Sequence, residues 1–199
     1  MRSETDSANG WAERLRWVNA AALDSVDVLS GLDNLRQASP ADLVRMTEIY
    51  NQAVPERSAT ADIELRTPDE RRAWFDRYDW AQGCPLVVIE QQGQVVGFAG
   101  AAPFRPGKRG YDGCLEVSLY VDRAWRSRGV GRQLGHGVVH AARALNNRVL
   151  MALVFADNSK SNGLFAHLGF NLCAHLPQAV VFPEAPDHPR DVGIWMMSL

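Results

Sequence analysis

The sequence is short of cysteine, of net charge and of long apolar runs, and each shortage excludes something. Its three cysteines, Cys84, Cys114 and Cys173, are odd in number and far apart, with no CxxC pair. They suggest neither a disulfide framework nor a zinc cage, and a reducing cytoplasm is the expected setting. The 21 Lys and Arg against 23 Asp and Glu leave a formal charge of −2. That balance gives no electrostatic footprint for nucleic acid or an anionic membrane. No apolar run approaches the roughly 18 residues that cross a bilayer, and the start MRSETDSANG is too polar for a signal peptide. Internal repeats and low-complexity tracts are also missing. What remains is 199 residues, enough for one domain with its own core and an appendage.

The appendage is expected at residues 1–34, where Trp11, Leu15, Val18 and Ala22 fall at helical spacing before an acidic stretch through Asp24, Asp27 and Asp33. Residues 35–199 form the expected domain. Ser39 followed by Pro40 reads as a helix start, and Leu43, Met46, Ile49 and Tyr50 form the apolar stripe of that helix. Thr67-Pro68-Asp69-Glu70 is a capping box leading into a second helix with Trp74 and Phe75. The period then changes. Residues 85–90 (PLVVIE) and 95–101 (VVGFAGA) read as a hairpin, and 114–121 (CLEVSLYV) as a third strand. A long helix over 131–145, a strand over 149–155, a short helix over 159–168 ending at Gly169, and strands near 172–176 and 192–197 complete the pattern. Hairpins mixed with a crossover helix predict an α/β fold with a mixed sheet and helices on both faces.

Chemistry concentrates between Leu115 and Leu134. A strand is followed by Arg126-Ser127-Arg128-Gly129-Val130-Gly131 and then a helix with Arg132 in its first turn. Glycines let the backbone approach a ligand closely, and free N–H groups at the helix start beside three arginines make a pyrophosphate site. The segment lacks the P-loop pattern, and also the third glycine and downstream acid of a dinucleotide fingerprint. Alone, RxxGxG is a weak signal, since glycine-bearing strand-to-helix turns are common.

Its context is more specific. The RxxGxG turn after SLYV, followed by Asn158 and by Leu168-Gly169-Phe170, resembles the acetyl-coenzyme A motifs of the GNAT acetyltransferases. IYNQAV at 49–54, AWFD at 73–76, FRP at 104–106, EVSLYV at 116–121, LPQ at 176–178 and DVGIW at 191–195 are similar, in order and spacing, to the phosphinothricin and methionine sulfoximine N-acetyltransferases. The resemblance spans residues 35–199. It implies the acyl-CoA N-acyltransferase fold, a mostly antiparallel mixed sheet whose central strand pair splays apart. It also implies acetyl-CoA as cofactor, a small amine acceptor and a homodimer. Leu119, Tyr120 and Val121 would pair with the pantetheine arm. The N–H groups of Ser127, Arg128, Gly129, Val130, Gly131 and Arg132 would hold the pyrophosphate with Arg126 beside them, and Asn158, Ser161 and Phe165 would line the other side. Glu116 would be the general base, since a carboxylate desolvated in a cleft gains proton affinity, and the Val121 N–H would polarise the thioester carbonyl. Phe75, Val117 and Ser118 would border the acceptor, and Arg105 and Arg109 are candidates for its carboxylate.

Plainer readings stand beside these. Glu116 could be a strand carboxylate facing water, Arg105 and Arg109 solvated loop charges, and Asn158 only a helix cap. His136 and His140 are spaced i, i+4, but no third ligand accompanies them, so no metal is expected. Phe165 stands where the family commonly has Tyr or His, which leaves water or Ser161 to protonate the departing thiolate. A proline-rich stretch over 181–190 replaces the subfamily's acceptor-shaping loop. The reading is thus an N-acetyltransferase for a phosphinothricin-, methionine sulfoximine- or methionine sulfone-like acceptor. The alternatives are another small amine, a protein N-terminus, or a CoA-binding regulatory protein with little catalysis.

Overall fold

A computed structural model describes residues 28–199. The two helix starts form as the sequence dictates. The Asp42 carboxylate accepts from the Ser39 N–H at 2.7 Å and from the Ser39 hydroxyl at 3.0 Å, and a 3-10 turn runs from there into α1, Leu43–Glu56. Thr67 Oγ1 accepts from the Glu70 N–H while the Glu70 carboxylate accepts from the Thr67 N–H, which closes the capping box of α2, Pro68–Phe75. Later in the chain come α3, Val130–Ala144, and α4, Ser159–His167.

Seven strands form one sheet: β1 (Leu35–Gln37), β2 (Leu86–Gln91), β3 (Gln94–Pro103), β4 (Cys114–Val121), β5 (Val149–Phe155), β6 (Asn171–Val180) and β7 (Arg190–Ser198). Their spatial order is β1-β2-β3-β4-β5-β7-β6. Every pairing is antiparallel except β4 with β5, the two strands joined through α3. Parallel neighbours need such a crossover. The apolar run of β2 reflects helices on both faces: Leu86 and Val88 pack with Met46, Ile49 and Trp74 from α1 and α2, and Val87 and Ile89 with Leu134 and Val138 from α3.

The feature that makes a site is the end of the β4–β5 ladder. Register holds for Cys114↔Val149, Leu115↔Leu150 and Glu116↔Met151 only. Beyond Glu116, β4 stays with β3 as far as Gly97↔Val121, and β5 stays with β7 as far as Phe155↔Val192. The two strands therefore splay apart, as the family resemblance implied.

Differences from expectation are local. β1 was not anticipated, because three residues at a sheet edge carry no periodicity. β6 runs past residue 176 to Val180, through Pro177 and two bulges, which an edge strand tolerates. Val28 and Leu29 are buried in the α3-side core, so packing begins before the expected boundary at residue 35. The helical pattern read over Trp11, Leu15, Val18 and Ala22 lies outside the described residues.

Candidate active site

The Asp122 N–H bonds to the Val96 carbonyl on the β3 side at 2.9 Å. Backbone groups alternate in direction along a strand, so the N–H groups of Leu119 and Val121 point away from β3, into the gap. The Val121 carbonyl accepts from Arg126 Nε at 3.1 Å. A cleft of about 280 Å³ fills the gap. Glu116, Val117, Ser118, Leu119 and Tyr120 line one wall, and Leu153, Val154 and Phe155 of β5 with Asn158, Ser161 and Phe165 line the other. Ser58 to Ala61, Val180 and Val192 complete the lining, so the structure brings together residues far apart in sequence. Glu116 is half-buried and has no hydrogen-bond or ion-pair partner among the described residues.

The turn after β4 is held from behind. Asp122 is buried and accepts from Arg45, from Gln52 Nε2 at 3.0 Å and from the Ala124 N–H at 2.8 Å. Burial opposes its charge, but the Gln52, Ala124 and Arg45 contacts outweigh it and hold the carboxyl below the usual carboxylate range. Arg126 donates to Glu56 at 2.7 Å, and Glu56 also takes Arg123. Arg126 therefore braces the turn against α1. The exposed Arg128 and Arg132 have no carboxylate partner among the described residues. Ser127 at φ +61° and Gly129 at φ +84° turn the chain so that the N–H groups from Ser127 through Gly131 find no backbone partner among the described residues. Such a concave run of N–H groups at a helix start is an anion site. A Cβ at Gly131 would meet Leu164, Val121 and Leu119 at 3.5 to 3.8 Å, in ordinary contact, where turn and gap join.

Asn158 does two jobs. Its Oδ1 accepts from the Ser161 N–H at 3.0 Å as the cap of α4, and its Nδ2 donates to the Ser58 carbonyl at 2.7 Å, which ties the α1–α2 connection over the cleft. Phe165 is buried and packs edge-on to Phe170. Asn162, which sequence reasoning missed, bonds the Phe155 and Ala156 carbonyls and accepts from Trp195, fixing the end of β5.

A second cleft, about 340 Å³, shares Ser118 and Tyr120 with the first and lies under α1 and α2. Tyr50, Asp62, Arg66, Glu70, Arg71 and Trp74 complete it, and of the charged members only Glu70 was singled out in the sequence, as part of a helix cap. Tyr50 donates to Asp62 at 2.6 Å, and burial with that bond pushes its hydroxyl up to about 12. Phe75, Arg105 and Arg109 line neither cleft. Arg105 lies near the Tyr111 ring on the exposed loop before β4, and the Arg109 side chain is 93% exposed. Among the described residues no cluster of three His, Cys, Asp or Glu is placed to hold a metal.

Comparison with known proteins decides what this geometry serves. The acetyltransferase (GNAT) family matches residues 44–170. The chain belongs to the GNAT acetyltransferases. Among the relatives of this GNAT chain, the L-methionine sulfoximine/L-methionine sulfone acetyltransferase of Pseudomonas aeruginosa is 36% identical over 149 residues, covering 73% of this chain and 84% of the relative. The L-amino acid N-acyltransferase MnaT of Escherichia coli is 33% identical over 145 residues, covering 73% and 83%. The GNAT phosphinothricin acetyltransferase of Sinorhizobium meliloti, solved in complex with acetyl-CoA, superposes with a TM-score of 0.76 at 29% identity, covering 83% of this chain and 87% of that one. The protein is an acetyl-CoA-dependent N-acetyltransferase, and its free N–H groups in gap and turn fit that cofactor's pantetheine arm and pyrophosphate.

Proposed function

We propose that the protein acetylates the α-amino group of a small amino-acid-like acceptor of the methionine sulfone, methionine sulfoximine or phosphinothricin type, with Glu116 as general base. One observation carries this reading: Glu116, without a hydrogen-bond or ion-pair partner among the described residues, stands where β4 leaves β5, on the same strand face as Ser118, which both clefts share. The names of the relatives support the acceptor class.

When bound, acetyl-CoA supplies an acetyl thioester. Leu119 and Val121 would hold its pantetheine arm as an added strand, with the Val121 N–H placed to donate to the thioester carbonyl oxygen. The N–H groups from Ser127 to Gly131, with Arg128 and Arg132, hold the pyrophosphate. Glu116 takes a proton from the acceptor ammonium, directly or through a water, so that the neutral amine can attack. Phe165 carries no proton, and Ser161 in the same cleft or a water returns one to the thiolate.

Thiol release from acetyl-CoA with an amino-acid panel tests this. Glu116→Gln lowers kcat about 100-fold or more with acetyl-CoA affinity kept, the scale of a lost general base. A panel with no turnover above the acceptor-free background, with cofactor binding intact, sinks it and leaves the regulatory CoA-binding reading. A reducing cytoplasm belongs to the proposal and is supported by three free thiols, Cys173 exposed among them. So does a homodimer formed through β6, an edge strand exposing Leu172 and Leu176. Light scattering checks it, and a chain monomeric at micromolar concentration refutes it.

A further inference from the structure

The second cleft holds a charge with nothing to answer it. Arg71 is 5% exposed, with its guanidinium 4.1 Å from the Tyr50 ring centroid and 3.6 Å from that of Trp74. Its Nε and Nη2 are buried with no hydrogen-bond partner. The nearby acids are already engaged. Asp62 takes two bonds from Arg66 and one from Tyr50, and Glu70 closes the Thr67 cap. Burying an unpaired cation is costly, and two ring contacts recover only part of that cost. Burial lowers the guanidinium's proton affinity, the signature of a cation without an anion.

We propose that Arg71 is the anchor for the acceptor's α-carboxylate: Tyr50 and Trp74 fix the guanidinium plane, and the second cleft delivers the α-amine to Ser118 and Glu116. The proposal rests on the amino-acid reading above and names the recognised group. Asp62 and Glu70 on the same wall disfavour a polyanion, and suit a zwitterion whose carboxylate meets Arg71 while its amine points along β4 toward Glu116. Trp74 offers an apolar face to the acceptor's side chain. Arg105 and Arg109, the candidates on the exposed loop, line neither cleft and are the alternative that the test below separates.

The test compares L-methionine sulfone with its carboxamide as acceptors. Arg71→Gln lowers kcat/KM for the amino acid about 100-fold, mainly through KM, as expected when a charged, forked hydrogen bond is removed. The carboxamide loses less than about threefold, since it never had that bond. KM for acetyl-CoA stays unchanged. Arg71→Lys keeps charge without the fork and loses roughly tenfold on the amino acid alone. Parallel losses on both acceptors overturn the proposal, as does a ratio that collapses in Arg105→Ala and survives in Arg71→Gln. Should the Gln variant fail to fold, the Lys variant decides, and an unaltered ratio overturns it. If the wild type acetylates neither compound, the amino-acid reading fails separately. Quenching of tryptophan fluorescence by methionine sulfone then judges Arg71 alone: weaker binding in Arg71→Lys supports it, and equal binding overturns it.

Discussion

Gly129 stands at φ +84° with nothing within 4 Å of where a Cβ would be. Replacing it with alanine crowds no neighbour, so its effect is purely conformational, about 1 to 2 kcal/mol for a β-carbon held in the left-handed region. The chain relieves that strain by turning its N–H groups away from the anion. Gly129→Ala therefore raises KM for acetyl-CoA about tenfold, that penalty expressed as affinity, with kcat nearly unchanged in steady-state assays. The glycine turn was legible in the sequence because a strand, a tight turn and a helix follow one another there, so the signal is local, whereas Glu116 was singled out only through the family resemblance. Arg71 was not. It sits beside Arg72, which is exposed, in a short helix of weak apolar pattern, and only the arrival of Tyr50 from α1 and Ser118 from β4 distinguishes the two.

At the scale of elements, α1 works as a brace. Its Arg45 and Gln52 hold Asp122 and its Glu56 holds Arg123 and Arg126, so one helix pins the whole β4-to-α3 turn. Asp122→Ala strands Arg45 and frees the turn. The expected cost is about 3 kcal/mol, or roughly 6 to 12 °C in Tm for a chain of this size, read by calorimetry. Asp42, Glu56, Asp62 and Asp122 are all held below the ordinary carboxylate range, each by a hydrogen-bonded arginine together with other donors. Their stabilisation is full above the unfolded range near pH 4 and is lost as pH falls through the lower folded values. Urea midpoints measured from pH 7 to pH 3 stay level with respect to these groups and drop below about pH 4, with a shallower drop in Asp122→Ala. The helices and most strands could be read from caps and periodicity. β1 and the far half of β6 could not, because edge strands are set by the partner they find.

For the whole molecule, the sheet's mixed character is what the crossover through α3 requires, and its helix-covered faces account for strands without polar alternation. The same architecture explains why the acceptor's side of the site was hard to foresee. The pyrophosphate end of the cofactor's side is built from one contiguous stretch, β4 into α3, whereas the second cleft is assembled from α1, the α1–α2 connection, α2 and β4. No helix among the described residues is long and apolar enough to cross a membrane.

The short β4–β5 ladder has one more consequence, for time and heat. Amide hydrogens of Leu119 and Val121 face the gap, so they exchange with solvent deuterons faster than that of Leu115, which lies inside the three-pair ladder. Acetyl-CoA slows those two selectively. Because the ligand binds the folded chain alone, saturation at a hundred times Kd adds about 2.7 kcal/mol to unfolding, roughly 5 to 11 °C in Tm. Thermal denaturation of this enzyme then depends on the acetyl-CoA supply as well as on its own core.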